Sequence, residues 1–283
     1  MIGKRHRLRG SAALGALAVG AGVLLMATWL SGWQRLVESQ IFYPEKQIHY
    51  TPRDMGLAYE DVWFESAGGV RLHGWFVPAA VGRTVLLFCH GNAGNVGDRV
   101  DNIMRLNRIG ISVFIFDYRG YGNSRGRPSE EGLYRDVEAA CNVAQARAKQ
   151  EKARLVIFGR SLGGVAAVHV AARNHCAGLI LESTFTHLGA MARIHFPMPL
   201  PEQWLSSRFN ARKKISAVRA PILFFHGDQD DIVPLALGRR LFMAAPEPKE
   251  FVTLEGAGHN DTYLIGEDAY FAKFRAFCEG LPL

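Results

Sequence analysis

The stretch Leu155-Val156-Ile157-Phe158-Gly159-Arg160-Ser161-Leu162-Gly163 decides the fold of this chain. Its first four residues are apolar and predict a buried parallel strand, and the small residues of 164–172 (GVAAVHVAA) predict a helix. A serine on so tight a strand-to-helix turn has its hydroxyl pushed out above the sheet edge, and a Cβ at either flanking glycine would clash. The pattern G-x-S-x-G therefore predicts a nucleophile at Ser161, provided that a histidine and a carboxylate follow.

A serine hydroxyl is a poor nucleophile at neutral pH and needs a base that a third group orients. Of the ten histidines, we expect His90, His226 and His259 to end strands on the side where Ser161 emerges. His90 and His226 each directly precede a glycine and are interpreted as turn-packing residues. His259 follows the last predicted strand within Gly256-Ala257-Gly258-His259-Asn260, whose glycines let a loop fold close to the site. His259 is therefore the predicted base.

Carboxylates for the third role follow the predicted strand Ile222–Phe225, where the loop holds Asp228, Asp230 and Asp231. Glu182, at the end of another predicted strand, is a rival acid. The order Ser161, Asp230, His259 is the serine–acid–histidine order of one hydrolase class, and differs from the orders of chymotrypsin and subtilisin.

The chain around these residues alternates predicted strands and helices from Tyr59 onward. Several strands are apolar throughout, as expected when helices cover both faces of a sheet: Val85–Cys89, Ile111–Phe116, Leu155–Phe158 and Ile222–Phe225. Glu60–Glu65 and Val70–Val77 predict an antiparallel hairpin, and 98–108 and 129–149 predict helices. The expected architecture is α/β, a mostly parallel, doubly wound sheet with its site beyond the strand carboxyl ends.

The segment 183–220 interrupts this alternation. It contains no clear strand, and its run Phe196-Pro197-Met198-Pro199-Leu200-Pro201 cannot form the interior of a regular helix. We interpret it as a small cap-like insertion over the carboxyl edge of the sheet. It is apolar in its middle and basic at its end.

The amino-terminal part has a different character. Residues 11–32 (SAALGALAVGAGVLLMATWLSG) carry no charge, and as a helix they would be roughly 33 Å long, enough for a hydrocarbon core of about 30 Å. A signal peptide is the alternative, but its apolar region is shorter, and Trp29 and Trp33 at one end favour an uncleaved anchor. We expect residues 1–33 to form a basic cytoplasmic tail and transmembrane anchor, 34–56 a connector and 57–283 one domain. The positive-inside rule then places that domain on the non-cytoplasmic side, periplasmic or extracytoplasmic.

Charge and cysteine usage exclude other classes of function. The net charge of +7 has +4 in residues 1–10 and +5 in 183–220, so the remainder carries about −2, which argues against a nucleic-acid-binding protein. The basic end of 183–220 is either a solvated face or a surface that favours anionic lipid headgroups. The sequence contains neither of the nucleotide-binding motifs G-x-G-x-x-G and G-x-x-x-x-G-K-[ST]. It also lacks the zinc-binding motif H-E-x-x-H, so neither a cofactor nor a metal is expected. The four cysteines lack metal or C-x-x-C spacing and are expected to be buried thiols.

Across about residues 57–283 the chain resembles α/β-hydrolase-fold serine hydrolases. The motifs that carry the resemblance are His90-Gly91-Asn92-Ala93-Gly94-Asn95, Asp117-Tyr118-Arg119-Gly120-Tyr121-Gly122-Asn123-Ser124, Gly159–Gly164, Gly227-x-x-Asp230-x-x-Val233-Pro234 and Gly258-His259. The resemblance implies Ser161 as nucleophile, His259 as base and then acid, Asp230 as the orienting acid, and an oxyanion hole from the backbone N–H groups of Leu162 and Asn92. Together with the anchor, it is similar to the membrane-tethered branch of depalmitoylating and monoacylglycerol-lipase-like hydrolases.

Three functions follow from these observations. The first is an ester or thioester hydrolase acting on acyl-chain or other small lipid-like substrates, with an unknown oligomeric state. The second is a serine peptidase of the same fold, although the chain lacks the propeller or large cap that selects peptides. The third is a catalytically idle scaffold that binds partners at the membrane.

Overall fold

The computed structural model describes residues 38–39, 41–195 and 205–283. The chain divides into two units, Met1–Tyr43 and Pro44–Leu283. In the first unit, the amides of Ile41 and Phe42 both donate to the Glu38 carbonyl, each at 3.1 Å. The predicted membrane span, 11–32, lies outside the described residues, and within those residues no helix has the length and apolarity to cross a membrane.

The second unit is built on an eight-stranded sheet. Its strands in chain order are β1 Glu60–Ser66, β2 Val70–Val77, β3 Thr84–Cys89, β4 Ile111–Phe116, β5 Arg154–Arg160, β6 Gly178–Glu182, β7 Ile222–Gly227 and β8 Lys249–Leu254. The spatial order is β8-β7-β6-β5-β3-β4-β2-β1. β2 runs antiparallel to both β1 and β4, whereas the pairs from β4 through β3 to β8 are parallel. The predicted hairpin and the mostly parallel sheet are thus confirmed.

Helices connect the strands. Those that the structure describes are α1 Val100–Arg108, α2 Glu130–Gln150, α3 Leu162–Ala171, α4 Leu188–His195, α5 Ala211–Ile215, α6 Leu235–Ala244, α7 Thr262–Ile265 and α8 Glu267–Glu279. α2 begins where Ser129 accepts a hydrogen bond from the Gly132 amide, the N-cap that satisfies a free donor of the first turn. The predicted helix 98–108 starts later than expected, because Val96–Arg99 forms a separate 3₁₀ turn before Val100.

The apolar strands are buried on both faces, as their composition predicts. Alternate residues of the central strands, such as Phe88, Phe158 and Phe225, join α1 and α8 in one hydrophobic cluster. α2 and α3 contact β1, β3 and β5, and their residues are not part of that cluster, so they cover the opposite face. Each fully buried phenylalanine contributes about 1.5–3 kcal/mol to this core. The sheet therefore offers a rigid carboxyl edge on which loops can hold side chains.

The segment 183–220 is described only in part, at 183–195 and 205–220. These residues contain α4 and α5 and no strand, which agrees with the break predicted in the alternation. The Arg208 guanidinium pairs with Glu130 of α2, and the Phe209 amide donates to the same carboxylate at 2.5 Å. The end of the insertion is thereby attached to α2.

Candidate active site

Ser161 lies at the turn between β5 and α3. Its backbone has φ 53° and ψ −120°, a conformation that side-chain-bearing residues rarely adopt and that costs of order 1–3 kcal/mol. Its amide donates to the Glu182 carbonyl of β6 at 2.8 Å, which holds the turn against the sheet. Strain kept in place by neighbouring structure is typical of a functional position.

The glycines around Ser161 are required by close packing, as the sequence predicts. A Cβ on Gly159 would lie 2.5 Å from the Ala167 Cβ, and one on Gly163 would lie 2.0 Å from the Cys89 carbonyl oxygen. A Cβ on Gly164 would lie 1.9 Å from the Thr184 Oγ1. The turn can therefore press against β3 and β6 only with glycine at these positions.

His259 follows β8 and reaches the serine. Its Nε2 lies 3.1 Å from the Ser161 Oγ, and its Nδ1 lies 2.9 and 3.0 Å from the two carboxylate oxygens of Asp230. The imidazole is buried, with 8% of the residue exposed. Because a carboxylate only accepts hydrogen bonds, Nδ1 carries the proton in neutral His259 and Nε2 is free to accept from the serine hydroxyl.

Asp230 follows β7 and is fixed by its own loop. The amides of Ile232 and Val233 donate to its Oδ1 at 3.1 and 2.7 Å. Burial raises the pKa of Asp230, but the hydrogen bond and charge of His259 and the Val233 amide together outweigh burial and leave that pKa below its ordinary value. The carboxylate is therefore ionised at neutral pH.

The other carboxylates considered from the sequence have different partners. Asp228 accepts from the Gly256 amide at 2.8 Å, and Asp231 is exposed, in keeping with loop capping and solvation. Glu182 accepts from the hydroxyls of Thr262 at 2.8 Å and Tyr270 at 2.6 Å. Among these carboxylates, Asp230 is the one that the structure places against His259.

Of the two histidines interpreted from the sequence as turn-packing residues, His90 directly follows β3 and His226 lies near the end of β7. The His226 Nε2 also lies 3.5 Å from the Asp230 Oδ2. The His90 Nδ1 lies 2.7 Å from the Gly91 carbonyl, and its ring packs on Tyr118. The His226 Nε2 lies 2.7 Å from the Val233 carbonyl, and burial lowers the pKa of this imidazole.

The two predicted oxyanion donors lie on segments next to Ser161. Leu162 is the first residue of α3. A Cβ on Gly91, the residue before Asn92, would lie 3.7 Å from the Ser161 Cβ, so the loop after β3 runs alongside the serine. The Asn92 side chain accepts a hydrogen bond from the Tyr121 hydroxyl at 3.0 Å, which restrains this loop.

Sequence reasoning missed a buried network that supports His259. The Arg160 Nε lies 2.9 Å from the Glu182 Oε1, with 7% and 0% of the two side chains exposed. The Arg160 Nη2 donates to the His259 carbonyl at 2.6 Å and to the Asn260 Oδ1 at 3.2 Å. The sequence alone leaves two interpretations of Arg160, contact with an anionic substrate or pairing with Glu182, and the structure shows the pairing. Nothing in the sequence indicated that Arg160 also holds the His259 loop.

Within the part of the chain that the structure describes, no group of histidine, cysteine and acidic side chains is arranged to hold a metal ion. The four cysteines are free and buried, which confirms their predicted state. The chemistry available at the site is thus that of a hydroxyl, an imidazole and a carboxylate joined by hydrogen bonds.

The strand order, the strained serine after β5 and the histidine after β8 define an α/β-hydrolase fold. A family described as "Serine aminopeptidase, S33" matches residues 81–213. The chain is 36% identical over 273 residues to the uncharacterized protein Rv2307c of Mycobacterium tuberculosis, covering 96% of this chain and 95% of that protein. It is 34% identical to the alpha/beta hydrolase domain-containing protein WAV2 of Arabidopsis thaliana, over 83% of each chain.

Among solved structures, the esterase Pf2001 of Pyrococcus furiosus has the same fold, with a TM-score of 0.69 and 20% identity over 85% of this chain and 98% of that one. The extent and identity of the match to WAV2 show that this chain belongs to the α/β-hydrolase family.

Proposed function

We propose that this protein is a serine ester or thioester hydrolase that works through an acyl-enzyme formed on Ser161. The observation that carries the proposal is the unbroken hydrogen-bond chain from the Asp230 carboxylate through His259 to the Ser161 hydroxyl. The strained backbone of Ser161 costs stability, and what it provides is a hydroxyl exposed to substrate at the edge of the sheet.

In the proposed reaction, His259 accepts the Ser161 proton through Nε2 while the serine oxygen attacks the acyl carbonyl carbon. The backbone N–H groups of Leu162 and Asn92 stabilise the oxyanion, each contributing about 10²–10³ in kcat. The imidazolium then protonates the leaving alcohol or thiol. Water attacks the acyl-enzyme with the same histidine as base, and Asp230 stays ionised throughout, in agreement with its lowered pKa.

For the substrate, we propose an acyl-chain ester or thioester, such as a monoacylglycerol, a lysophospholipid or an acylated protein. The sequence of 183–220 supports this class, because an apolar middle suits an acyl chain and a basic end suits an anionic surface. The carboxyl-terminal end of this segment is attached to α2 through Glu130.

We also propose that residues 11–32 anchor the protein, with the tail inside and the hydrolase domain on the non-cytoplasmic side. The support is the uncharged run, its terminal tryptophans and the basic residues before it. Epitope tags on either side of the run, probed by protease in spheroplasts, test this topology. A tag on the hydrolase side that stays protected until the membrane is opened would contradict it.

The catalytic proposal is tested with a fluorophosphonate probe and p-nitrophenyl ester turnover. Ser161→Ala is expected to abolish both, and labelling retained in that variant would remove Ser161 from its role. Asp230→Asn is expected to lower kcat by about 10⁴, since it imposes the wrong imidazole tautomer. The matched control is Asp228→Asn, because Asp228 lies in the same loop and caps Gly256 instead of contacting His259.

A peptidase is the second candidate, favoured by the description of the family that matches residues 81–213. Turnover of aminoacyl-naphthylamides without ester turnover would favour it over the esterase. Complete inertness of the folded protein to serine-reactive probes would instead favour an idle scaffold.

A further inference from the structure

A second carboxylate–imidazole–nucleophile triple lies away from Ser161, between α2, α3 and α5. The Glu138 Oε1 lies 3.0 Å from the His169 Nε2, and the His169 Nδ1 lies 3.0 Å from the Lys214 Nζ. The corresponding distances in the Asp230–His259–Ser161 chain are 2.9 and 3.1 Å. The two triples share their order of groups and differ in the nucleophilic atom and in the imidazole nitrogen that faces it.

The hydrogen bonds define the tautomer of His169. A carboxylate only accepts and an ammonium only donates, so Nε2 carries the proton toward Glu138 and the Nδ1 lone pair faces Lys214. Burial is the main cause that lowers the pKa of His169, and the positive charge of Lys214 lowers it further. The imidazole is therefore neutral at pH 7 and able to accept a proton from the lysine.

The lysine amine is held in an unusual environment. Its Nζ lies 3.3 Å from the centroid of the Tyr134 ring, which itself stacks on His169 at 4.2 Å and 9°. Among the described residues, no carboxylate lies within ion-pair distance of Lys214, since Glu130 pairs with Arg208, and Glu138 with His169 and Arg173. A half-buried ammonium without an ion-pair partner loses its proton more readily than an exposed one.

We propose that Lys214 is a nucleophilic amine and a site of N-acylation by acyl thioesters, with His169 as its base and Glu138 as the group that orients the base. The neutral amine of Lys214 attacks the thioester carbonyl carbon while the His169 Nδ1 accepts one of the two protons on the attacking nitrogen. A C–N bond forms and the C–S bond breaks. The imidazolium gives that proton to the sulfur, which leaves as a thiol, and the other proton stays on the amide nitrogen. No oxidant or reductant is needed.

The charges around Lys214 support this chemistry. Burial, reinforced by the positive charge of Arg173, lowers the pKa of Lys214 to about 8 against the opposing effects of Glu130 and Glu138. At pH 7.5 roughly a quarter of the amine is then neutral, against roughly 0.1% of an ordinary lysine. The ionisable groups nearby are Glu130, Tyr134 and Glu138 on α2, His169 at the end of α3 and Arg173 after it, and Arg212 and Lys213 on α5 itself.

The experiment uses the full chain with Ser161→Ala, so that no acyl group can reach the lysine from the serine. The protein is incubated with the acetyl thioester of N-acetylcysteamine from pH 6.5 to 9.5, and acetylation is followed residue by residue by mass spectrometry. Lys213 is the matched control within the same protein, because it is the exposed neighbour of Lys214 on α5. We expect Lys214 to be acetylated about tenfold faster than Lys213 at pH 7.5, with a midpoint near pH 8. Equal rates for the two lysines would overturn the proposal.

The role of the base is tested with His169→Gln. General-base action sets the plateau rate at high pH, so the plateau for Lys214 is expected to fall about tenfold while the midpoint stays near pH 8. An unchanged plateau, or a rate that changes only because the midpoint moves, would refute a base at position 169. Should this variant fail to fold, Glu138→Gln serves instead. It is expected to lower the plateau and to shift the midpoint downward, because the Glu138 carboxylate raises the pKa of Lys214.

Discussion

Replacement of Arg160 by methionine tests whether the buried network behind His259 matters for both stability and catalysis. The change removes the cation 2.9 Å from Glu182, whose side chain is 0% exposed. Among the described residues, that carboxylate keeps the hydroxyls of Thr262 and Tyr270 as side-chain partners. An uncompensated buried charge of this kind costs about 3–5 kcal/mol. We therefore expect the free energy of unfolding to fall by that amount, a large part of a domain's total stability.

The same substitution acts on catalysis through the loop after β8. The His259 carbonyl loses the donor at 2.6 Å, so the imidazole is held less firmly against Ser161. Small misplacement of a catalytic group costs up to about 10²-fold, and we expect kcat for p-nitrophenyl butyrate to fall by about 10- to 100-fold with a smaller change in KM.

Urea unfolding of the full chain in detergent micelles and steady-state turnover supply the two readouts. Arg160→Met combined with Glu182→Gln removes both charges, so the losses in unfolding free energy should not add, with about 2 kcal/mol of coupling. Arg119→Met is the matched control, because the Arg119–Asp136 pair is equally short and buried, at 2.7 Å with 11% and 0% of the side chains exposed, and does not contact His259. A loss below about 1 kcal/mol for Arg160→Met, additive losses, or a kcat effect equal to that of the control would each refute this reasoning.

Three further predictions concern other parts of the molecule. Gly163→Ala is expected to lower the soluble yield and the melting temperature, because its Cβ would meet the Cys89 backbone carbonyl at 2.0 Å, and thermal scans check this. The lowered pKa of Asp230 stabilises the fold above the unfolded-state pKa of about 3.9, and that stability is lost as the pH falls through the folded-state value. Asp230→Asn should therefore flatten the acid side of the stability–pH curve, measured by urea unfolding between pH 7 and 3, and an unchanged slope would count against the linkage. Burial raises the pKa of Cys141, Cys176 and Cys278 to about 12. Native protein should therefore react slowly with Ellman's reagent, whereas urea-unfolded protein should react at once. Fast labelling of the native protein would contradict the burial of these thiols.

The sequence predicted the central strands well because burial on both faces leaves an uninterrupted apolar run. The apolar run predicted that β5 ends at Phe158, whereas the strand in the structure continues to Arg160. The extension arises because Arg160 pairs in register with Glu182 of β6. A glycine and an arginine carry no strand signal of their own. Only the neighbouring strand shows that they extend the ladder.

The sequence predicted Ser161, Asp230 and His259 as catalytic residues from motif and chain order, and the structure joins these three side chains by hydrogen bonds. The buried contacts that support these catalytic residues could not be predicted from local motifs. Arg160, Glu182 and Tyr270 lie far apart in sequence, and a salt bridge or a hydroxyl contact between distant residues leaves no periodic pattern. The short helices α4, α5 and α7 were missed for a related reason, since helices of about one or two turns are stabilised by tertiary packing more than by propensity.

The nucleophile turn and its base are separated by 98 residues, and translation delivers them in that order. A ribosome-bound chain can contain the complete β5–α3 turn while the imidazole at position 259 has not yet been added. By the proposed chemistry, such a chain cannot split an ester during synthesis. By this reasoning, the chain can hydrolyse an ester only after residue 259 has been synthesised. Acyl compounds that contact the shorter nascent chain are therefore not hydrolysed by it.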